Sequence, residues 1–303
     1  MSGSADTADP AADLLSAVAQ AYGLTAPFHA KRLSGGYAND VFLLDGERPV
    51  VLHVKHPPVD LNSLTWEHQL LERLKIRLPE TPVPLPTQDG RTFLLHQERP
   101  VWLTPYVPGV PAAPSDRRAV AAALGSLHSI EIDIIARPGH PRLSDLPIPQ
   151  ISQMPVTFDR WLPLITRARD EALELITEIG RTRSVVAGLT HNDIFPGNVL
   201  VDDGHVTALL DWEEADVDWQ VWDLASSIGP FCSTADGALD DKAAQEYIDS
   251  YRVAGGRVPP EEDDFIVPLL RIKRILEVLR APTDRHPQWD YQLANLRAYQ
   301  VLG

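Results

Sequence analysis

The sequence predicts an α+β protein with two lobes, a small first lobe built on an antiparallel sheet and a larger, mostly helical second lobe. Short strand-like runs joined by turn residues occupy residues 28–56. Residues 105–109, Pro-Tyr-Val-Pro-Gly, then interrupt regular structure. Beyond them, apolar residues recur mainly at helical spacing. We therefore predict lobes at residues 1–104 and 105–303.

The first lobe is predicted to begin with a helix at residues 12–22, where leucine, valine and tyrosine recur at helical spacing. A second helix, capped by Asn62 or Ser63, places Glu67 on a stripe of leucines. The strands of the sheet are expected at residues 28–33, 40–44, 50–56, 92–96 and 101–103.

The second lobe is predicted to contain several long helices, because its apolar residues recur every three or four positions. The chain is long enough for a substantial core, with 303 residues of which 44% are hydrophobic. Helices are expected at residues 115–129, 158–179, 240–253 and 261–279, with a shorter one near the C-terminus.

The charge and composition argue against several classes of partner. A net charge of −15 and a pI near 5.0 make the average surface repel phosphate backbones and anionic lipids, so we expect no nucleic-acid partner. The single cysteine, Cys232, excludes an intrachain disulfide and fits a reducing compartment. No apolar run reaches the roughly 18 residues of a membrane span. We therefore expect a cytoplasmic protein without a membrane partner.

The residues with the clearest chemical pattern are His-Asn-Asp-Ile-Phe-Pro-Gly-Asn at 191–198. Asp193 precedes Asn198 by five positions, which is the spacing of a kinase catalytic loop. Phosphoryl transfer to an alcohol needs a carboxylate to orient the hydroxyl and accept its proton, and divalent cations to bridge the phosphates. We predict that Asp193 is the base and that Asn198 is a magnesium ligand.

A hairpin is predicted directly after this loop. Residues 199–201 and 206–210 are strand-like, an Asp-Gly turn joins them, and the second strand ends on Asp211. Neighbouring strands would present Asn198 and Asp211 at one edge, and oxygen ligands of this kind suit Mg²⁺. The sequence therefore predicts Asp211 as the second magnesium ligand.

Two other interpretations of the loop are weaker. His191 and Asp193 could be a core histidine and a turn-capping aspartate, but the hairpin that follows argues against this. A zinc site formed by His191, Asp193 and His205 is disfavoured because no cysteine or further histidine lies nearby at ligand spacing.

Two charged residues of the first lobe occupy apolar surroundings. Lys55 ends an apolar strand, and Glu67 lies on the leucine stripe of the second helix. Each would be a costly buried charge unless it met an opposite one. Pairing Lys55 with Glu67 removes both anomalies, although both side chains could instead extend to solvent.

Residues 191–225 resemble the aminoglycoside phosphotransferase and choline kinase superfamily, and the likeness extends over most of the chain. The loop and the overall length are most similar to bacterial homoserine-kinase-type members. This resemblance implies a bilobal protein-kinase-like fold that binds ATP and Mg²⁺ between its lobes. It rests on His191-Asn192-Asp193, Asn198, Asp211-Trp212-Glu213 and Trp222-Asp223-Leu224-Ala225.

The same resemblance assigns further residues to the site. It implies that Lys55 binds phosphate, that Glu67 pairs with this lysine, and that Asp223 braces the catalytic loop. Residues 124–128 resemble the helix that precedes that loop. The residues implied to hold the nucleotide through a glycine-containing loop and through the backbone of an interlobe hinge are Ser34, Gly35, Gly36 and Asn39, and Leu103 to Tyr106.

The chain departs from its relatives at two places. Asn192 stands where many relatives carry glycine, and we expect this to leave Asp193 in place. Asp218-Trp219-Gln220 replaces a common Gly-Asp-Pro, which puts in doubt what the resemblance implies for the loop between Asp211 and Asp223. The Ala-Pro-Glu segment of protein kinases is absent, so a protein substrate is not expected.

We expect a small, amine-bearing alcohol as the phosphate acceptor, either a homoserine-like amino alcohol or an aminoglycoside-type antibiotic. Its pocket is expected at residues 155–179 and in the C-terminal helices. An acidic run could attract a polycation or could be a solvated loop. Its members are Glu213, Glu214, Asp216 and Asp218.

An alternative is a nucleotide-binding regulator that has kept the fold and lost transfer activity. It predicts a missing base or ligand, whereas the residues for both are all present. Nothing in the sequence specifies an oligomeric state.

Overall fold

The computed structural model describes residues 10–25, 29–33, 39–133, 136–139, 161–182, 185–279 and 289–302. The chain forms two compact units, Met1–Val110 with Thr207–Glu213, and Pro111–Val206 with Glu214–Gly303. We predict that residues 1–104 form the nucleotide-binding lobe and residues 105–303 the catalytic and substrate-binding lobe, and this division stays a prediction.

The first unit contains a five-stranded antiparallel sheet with strand order β1-β2-β3-β5-β4. The predicted strands and the first helix are confirmed, with strand ends shifted by a few residues. The elements are α1 Ala12–Tyr22, β1 Ala30–Arg32, β2 Asn39–Leu44, β3 Val50–Lys55, α2 Leu61–Leu74, β4 Leu94–His96 and β5 Arg99–Pro105.

One face of this sheet forms the hydrophobic core of the first unit. Alternate residues of β2, β3 and β5, such as Phe42, Leu52 and Leu103, pack against Leu14 and Val18 of α1. Because successive side chains of a strand point to opposite faces, the residues between them lie on the other face. Those residues include His53, Lys55, Trp102 and Thr104.

Helix α2 begins earlier than the sequence predicts. Its N-cap is Asp60, whose carboxylate accepts a hydrogen bond of 2.9 Å from the Asn62 N–H. Asp60 has an extended backbone that suits a cap, whereas Asn62 and Ser63 already lie inside the helix. The position of Glu67 among buried leucines is confirmed, with 9% of its surface exposed.

The second unit is mostly helical, as predicted, with short strands beside the helices. None of the helices that the structure describes is long and apolar enough to span a membrane. The elements from the junction onward are β6 Val110–Pro111, α3 Arg117–Ser129, α4 Leu162–Thr182, β7 Ala187–Thr190, β8 Val199–Asp202, β9 His205–Leu209, β10 Asp216–Trp219, α5 Gln220–Cys232, α6 Asp241–Val253, α7 Ile266–Leu279 and α8 Trp289–Val301.

The helix predicted at residues 261–279 divides into two parts. A 3₁₀ helix runs over Pro260–Phe265, and α7 starts at Ile266. Pro268 has no backbone N–H, and it lies in the first turn of α7, where the missing N–H costs no hydrogen bond within the helix. The start of the helix predicted at residues 158–179 lies outside the described residues, and α4 begins at Leu162.

Candidate active site

The loop at residues 191–198 is held by a buried aspartate of the same unit. The backbone N–H of His191 donates to Asp223 Oδ2 over 2.6 Å, and that of Asn192 donates to Asp223 Oδ1 over 2.9 Å. Asp223 lies in the first turn of α5 and is fully buried. One carboxylate thus anchors two successive residues of the loop, immediately before Asp193.

Asp223 also contacts His128, the penultimate residue of α3. His128 Nε2 lies 3.1 Å from Asp223 Oδ2, and His128 Nδ1 lies 2.8 Å from the Tyr251 hydroxyl. Tyr251 in turn accepts a hydrogen bond of 3.2 Å from the Val258 N–H. Burial by itself raises the pKa of Asp223, but hydrogen bonds from His128 and the His191 N–H, together with the electrostatic effect of these two histidines, hold it below its ordinary value.

Sequence reasoning did not single out Tyr251, and it placed His128 only within the helix at residues 124–128, without a partner. The available signal was a histidine among the buried apolar residues of a helix, which requires a polar partner. That partner is Asp223, 95 residues later in the chain. A single sequence does not reveal contacts over such a separation.

The structure explains why asparagine can replace glycine at position 192. Asn192 has a φ of 65°, in the left-handed region that glycine adopts without strain and that asparagine tolerates best among other residues. Its side-chain Nδ2 donates to the Glu214 carbonyl over 2.9 Å. Asn192 therefore keeps the turn of the loop and adds a contact that glycine cannot make.

Asp193 and Asn198 lie in direct contact. Asn198 Nδ2 donates to the Asp193 carboxylate over 2.8 Å and to the Asp193 carbonyl over 3.1 Å. The other polar atom of this amide, Oδ1, can only accept. A buried amide oxygen beside a half-buried carboxylate fits a hard divalent cation. The structure thus brings together the predicted base and one predicted magnesium ligand.

In the first unit, Lys55 has a partner that the sequence did not indicate. Lys55 Nζ makes a short ion pair with Glu213 Oε2, and both side chains are half-buried. Arg99 fixes the backbone at this position by donating from Nε to the Lys55 carbonyl over 2.9 Å. The predicted pairing of Lys55 with Glu67 stays a prediction.

Asp211 has a φ of 60°, the left-handed region that is uncommon outside glycine. Strained backbone of this kind occurs preferentially at functional sites, which fits the prediction that Asp211 is a metal ligand.

Asn39 lies opposite Lys55 in the β2–β3 register. Its Oδ1 is buried and meets no hydrogen-bond partner among the residues that the structure describes, which fits a residue that contacts a ligand.

The remaining predicted nucleotide-binding residues fall into two groups. Ser34, Gly35 and Gly36 lie outside the described residues. In the predicted hinge, the Leu103 carbonyl accepts from the Leu85 N–H over 2.7 Å and the Tyr106 N–H donates to the Pro49 carbonyl over 3.2 Å. An adenine base held by this segment would therefore bond mainly to backbone groups other than the Leu103 carbonyl and the Tyr106 N–H.

Two of the four residues in the acidic run are buried, so the run is not a solvated loop throughout. Asp216 and Asp218 lie in β10, which pairs with β7, and are 1% and 8% exposed. Asp216 Oδ1 accepts hydrogen bonds of 2.7 Å from the N–H groups of Arg137 and Val217. The solvated-loop alternative does not hold at these two aspartates, and backbone N–H groups that the sequence does not reveal bond to Oδ1 of the buried Asp216.

Comparisons with known proteins identify the family of this chain. The model of the phosphotransferase enzyme family (APH) matches residues 29–257. A homoserine kinase of Caulobacter vibrioides is 27% identical over 258 residues, covering 78% of this chain and 76% of the relative. A homoserine kinase of Pseudomonas aeruginosa is 29% identical over 217 residues, covering 70% and 66%.

Solved structures confirm the predicted kinase-like fold. An amicoumacin kinase in complex with AMP-PNP and Ca²⁺ superposes with a TM-score of 0.73 at 14% identity, covering 96% of this chain and 92% of that one. A microcompartment-associated aminopropanol kinase gives a TM-score of 0.69 at 18% identity, covering 96% and 95%. Because the family match spans well over half of the sequence, the chain belongs to the phosphotransferase enzyme family and is a small-molecule kinase.

Proposed function

We propose that the protein transfers the γ-phosphate of ATP, used as its magnesium complex, to the hydroxyl of a small amino alcohol related to homoserine. The observation that carries this proposal is the contact between Asp193 and Asn198 on a loop anchored by Asp223. A fixed carboxylate beside an amide oxygen that could bind a metal suits phosphoryl transfer to an alcohol.

Asp193 is the proposed base. Its carboxylate orients the acceptor hydroxyl and takes its proton as the new oxygen–phosphorus bond forms. The hydrogen bond from Asn198 to Oδ2 fixes the rotamer of Asp193, so the carboxylate does not have to be ordered during the reaction.

Asn198 and Asp211 are the proposed magnesium ligands, and Lys55 is the proposed phosphate-binding cation. Bound magnesium supplies neutralisation of the phosphate charge. The amide orientation of Asn198 and the left-handed backbone of Asp211 support the ligand assignment. The fixed backbone of Lys55 and its carboxylate partner support a lysine held in one direction.

A homoserine-like acceptor is favoured over an aminoglycoside for two reasons. Homoserine kinases are the relatives that match this chain over about three quarters of its length. In the acidic run that would have suited a polycation, Asp216 and Asp218 are buried and cannot contact one. The aminoglycoside-type acceptor remains the second candidate because the fold is shared with a spectinomycin phosphotransferase.

The regulator without transfer activity is disfavoured, since Asp193, Asn198 and Lys55 are present and held in defined geometry. A cytoplasmic location is part of the proposal. It is supported by the single cysteine, Cys232, which excludes an intrachain disulfide and fits a reducing compartment.

The proposal is tested by measuring transfer from radiolabelled ATP to a panel of L-homoserine, 1-amino-2-propanol, choline and kanamycin. We expect a labelled product with an amino alcohol and none with the Asp193→Asn protein. Labelling of kanamycin alone would favour the antibiotic-modifying role. Magnesium-dependent ATP binding without transfer to any acceptor would favour the regulator.

A further inference from the structure

A row of polar and aromatic side chains lies on the sheet face that does not pack against α1. Two residues of β3, His53 and Lys55, share this face because they are two positions apart. Cross-strand neighbours on β5 continue the row, with Trp102 opposite His53 in the register and Thr104 one pleat further along the strand. A half-buried histidine in this row has no role in the transfer chemistry described above.

His53 is fixed in one orientation by two contacts. Its Nε2 lies 3.0 Å from the Thr104 hydroxyl, and its ring stacks on Trp102 with a centroid distance of 4.9 Å and an interplanar angle of 4°. The Trp102 ring is in turn met edge-on by His68 of α2, at 5.4 Å. The ring of His53 therefore packs on the Trp102 ring, which His68 supports through its edge-on contact.

Burial lowers the pKa of His53 to about 3 and that of His68 to about 4, and the positive charge of Lys55 lowers the pKa of His53 further. Both histidines are therefore neutral at physiological pH. A neutral imidazole has one donor and one acceptor nitrogen, so its bond to Thr104 sets whether that hydroxyl donates or accepts elsewhere.

If the protein binds ATP as proposed above, this row connects the two ends of the nucleotide site. Lys55 marks the phosphate end, and Thr104 belongs to the hinge segment from Leu103 to Tyr106 that marks the base end. His53 is about 7 Å along β3 from Lys55, given a rise of about 3.3 Å per residue, and is bonded to Thr104. A nucleotide spanning both ends must cross this row.

We propose that His53 and Thr104 act together as the residues that select the purine base of the nucleotide. Adenine presents an amino donor where guanine presents an oxo acceptor, and a hydroxyl of fixed direction distinguishes the two. His53 fixes that direction. His68 is 2% exposed and supports the Trp102 ring without reaching the base.

Calorimetric titration with AMP-PNP and with GMP-PNP, each in the presence of Mg²⁺, tests this pair without any acceptor. We expect the unmodified protein to prefer AMP-PNP, and His53→Ala and Thr104→Val each to reduce the preference about tenfold, the effect of one net hydrogen bond. Because the two residues act as a unit, the double variant should lose no more than either single one. His96→Ala, on the edge strand β4, is the matched histidine control.

Thermal unfolding shows whether each variant folds, and Thr104→Val, which preserves side-chain shape, serves the test if His53→Ala does not fold. Folded variants that bind both nucleotides with the original preference would overturn the assignment of His53 and Thr104 while leaving the kinase function intact. Failure of the unmodified protein to bind either nucleotide would instead overturn the proposed function.

Discussion

The side-chain amide of Asn198 donates a hydrogen bond of 2.8 Å to the carboxylate of Asp193. This contact leaves the amide oxygen as the atom of Asn198 that can hold a cation, and it joins the proposed metal site to the proposed base. Replacing Asn198 should therefore affect both metal use and proton transfer.

For Asn198→Ala, we expect the magnesium concentration needed for half-maximal activity to rise about 10- to 100-fold, as is common when groups that hold a metal are changed. The turnover at saturating magnesium should also fall, because the carboxylate of Asp193 loses its orienting donor. Activity measured against free Mg²⁺ concentration checks both effects. An unchanged magnesium requirement would show that Asn198 is not a ligand.

Replacing Glu213 should weaken nucleotide use more than it weakens the fold. Glu213→Ala leaves the half-buried ammonium of Lys55 without this carboxylate, so we expect the KM for ATP to rise about 5- to 10-fold, an effect of roughly 1 kcal/mol. The matched control is Glu72→Ala, which removes an exposed partner of Lys75 in the same unit. Equal effects of the two substitutions on KM would contradict a role for the Lys55–Glu213 pair.

Asp223→Asn should destabilise the protein by about 3–5 kcal/mol, because it removes a buried charge that holds His128 and two backbone N–H groups. The exposed Asp249→Asn serves as control. Urea unfolding at neutral pH measures the difference.

The effect of Asp223 should depend on pH in one direction. Its folded-state pKa is held below the unfolded value of about 4. Its stabilisation is therefore fully present above about pH 4 and is lost as the pH falls through the folded-state pKa. The gap between the original protein and Asp223→Asn should shrink in acid, and a gap that widens there would contradict the assignment.

Gly125 in α3 is predicted to be intolerant of alanine. A Cβ at this position would overlap the Tyr251 carbonyl oxygen of α6, so the gain of up to about 1 kcal/mol in helix propensity is outweighed. We expect Gly125→Ala to lower the melting temperature and to disturb the Tyr251–His128 contact. Gly180→Ala in α4, where the nearest atom lies 3.8 Å away on Trp219, should be neutral or stabilising.

The fold was predictable where local pattern determines structure. Helix α1 has the predicted bounds, and β2 and β3 follow from apolar residues that pack on it. Strand β10 was missed because its buried positions carry aspartates, and one of them, Asp216, accepts a hydrogen bond from the distant Arg137 N–H. A hydrophobic pattern cannot reveal such a strand.

The residues of the catalytic loop could be predicted from their spacing, but the contacts between distant residues of the site could not. The spacing from Asp193 to Asn198 places both on one short loop, and the structure shows that their side chains are in contact. The partner of Lys55, by contrast, lies 158 residues away. Glu213 looked like a member of an acidic run, and only the folded chain shows which charge it meets.

The most direct test of the account is the turnover of Asp193→Asn at saturating ATP, magnesium and acceptor. Loss of a general base predicts a fall in kcat of about 10²- to 10⁴-fold, with nucleotide binding and thermal unfolding close to those of the unmodified protein. The exposed Asp203→Asn, in the turn before β9, should retain full turnover. Unchanged turnover of folded Asp193→Asn would contradict the proposed mechanism.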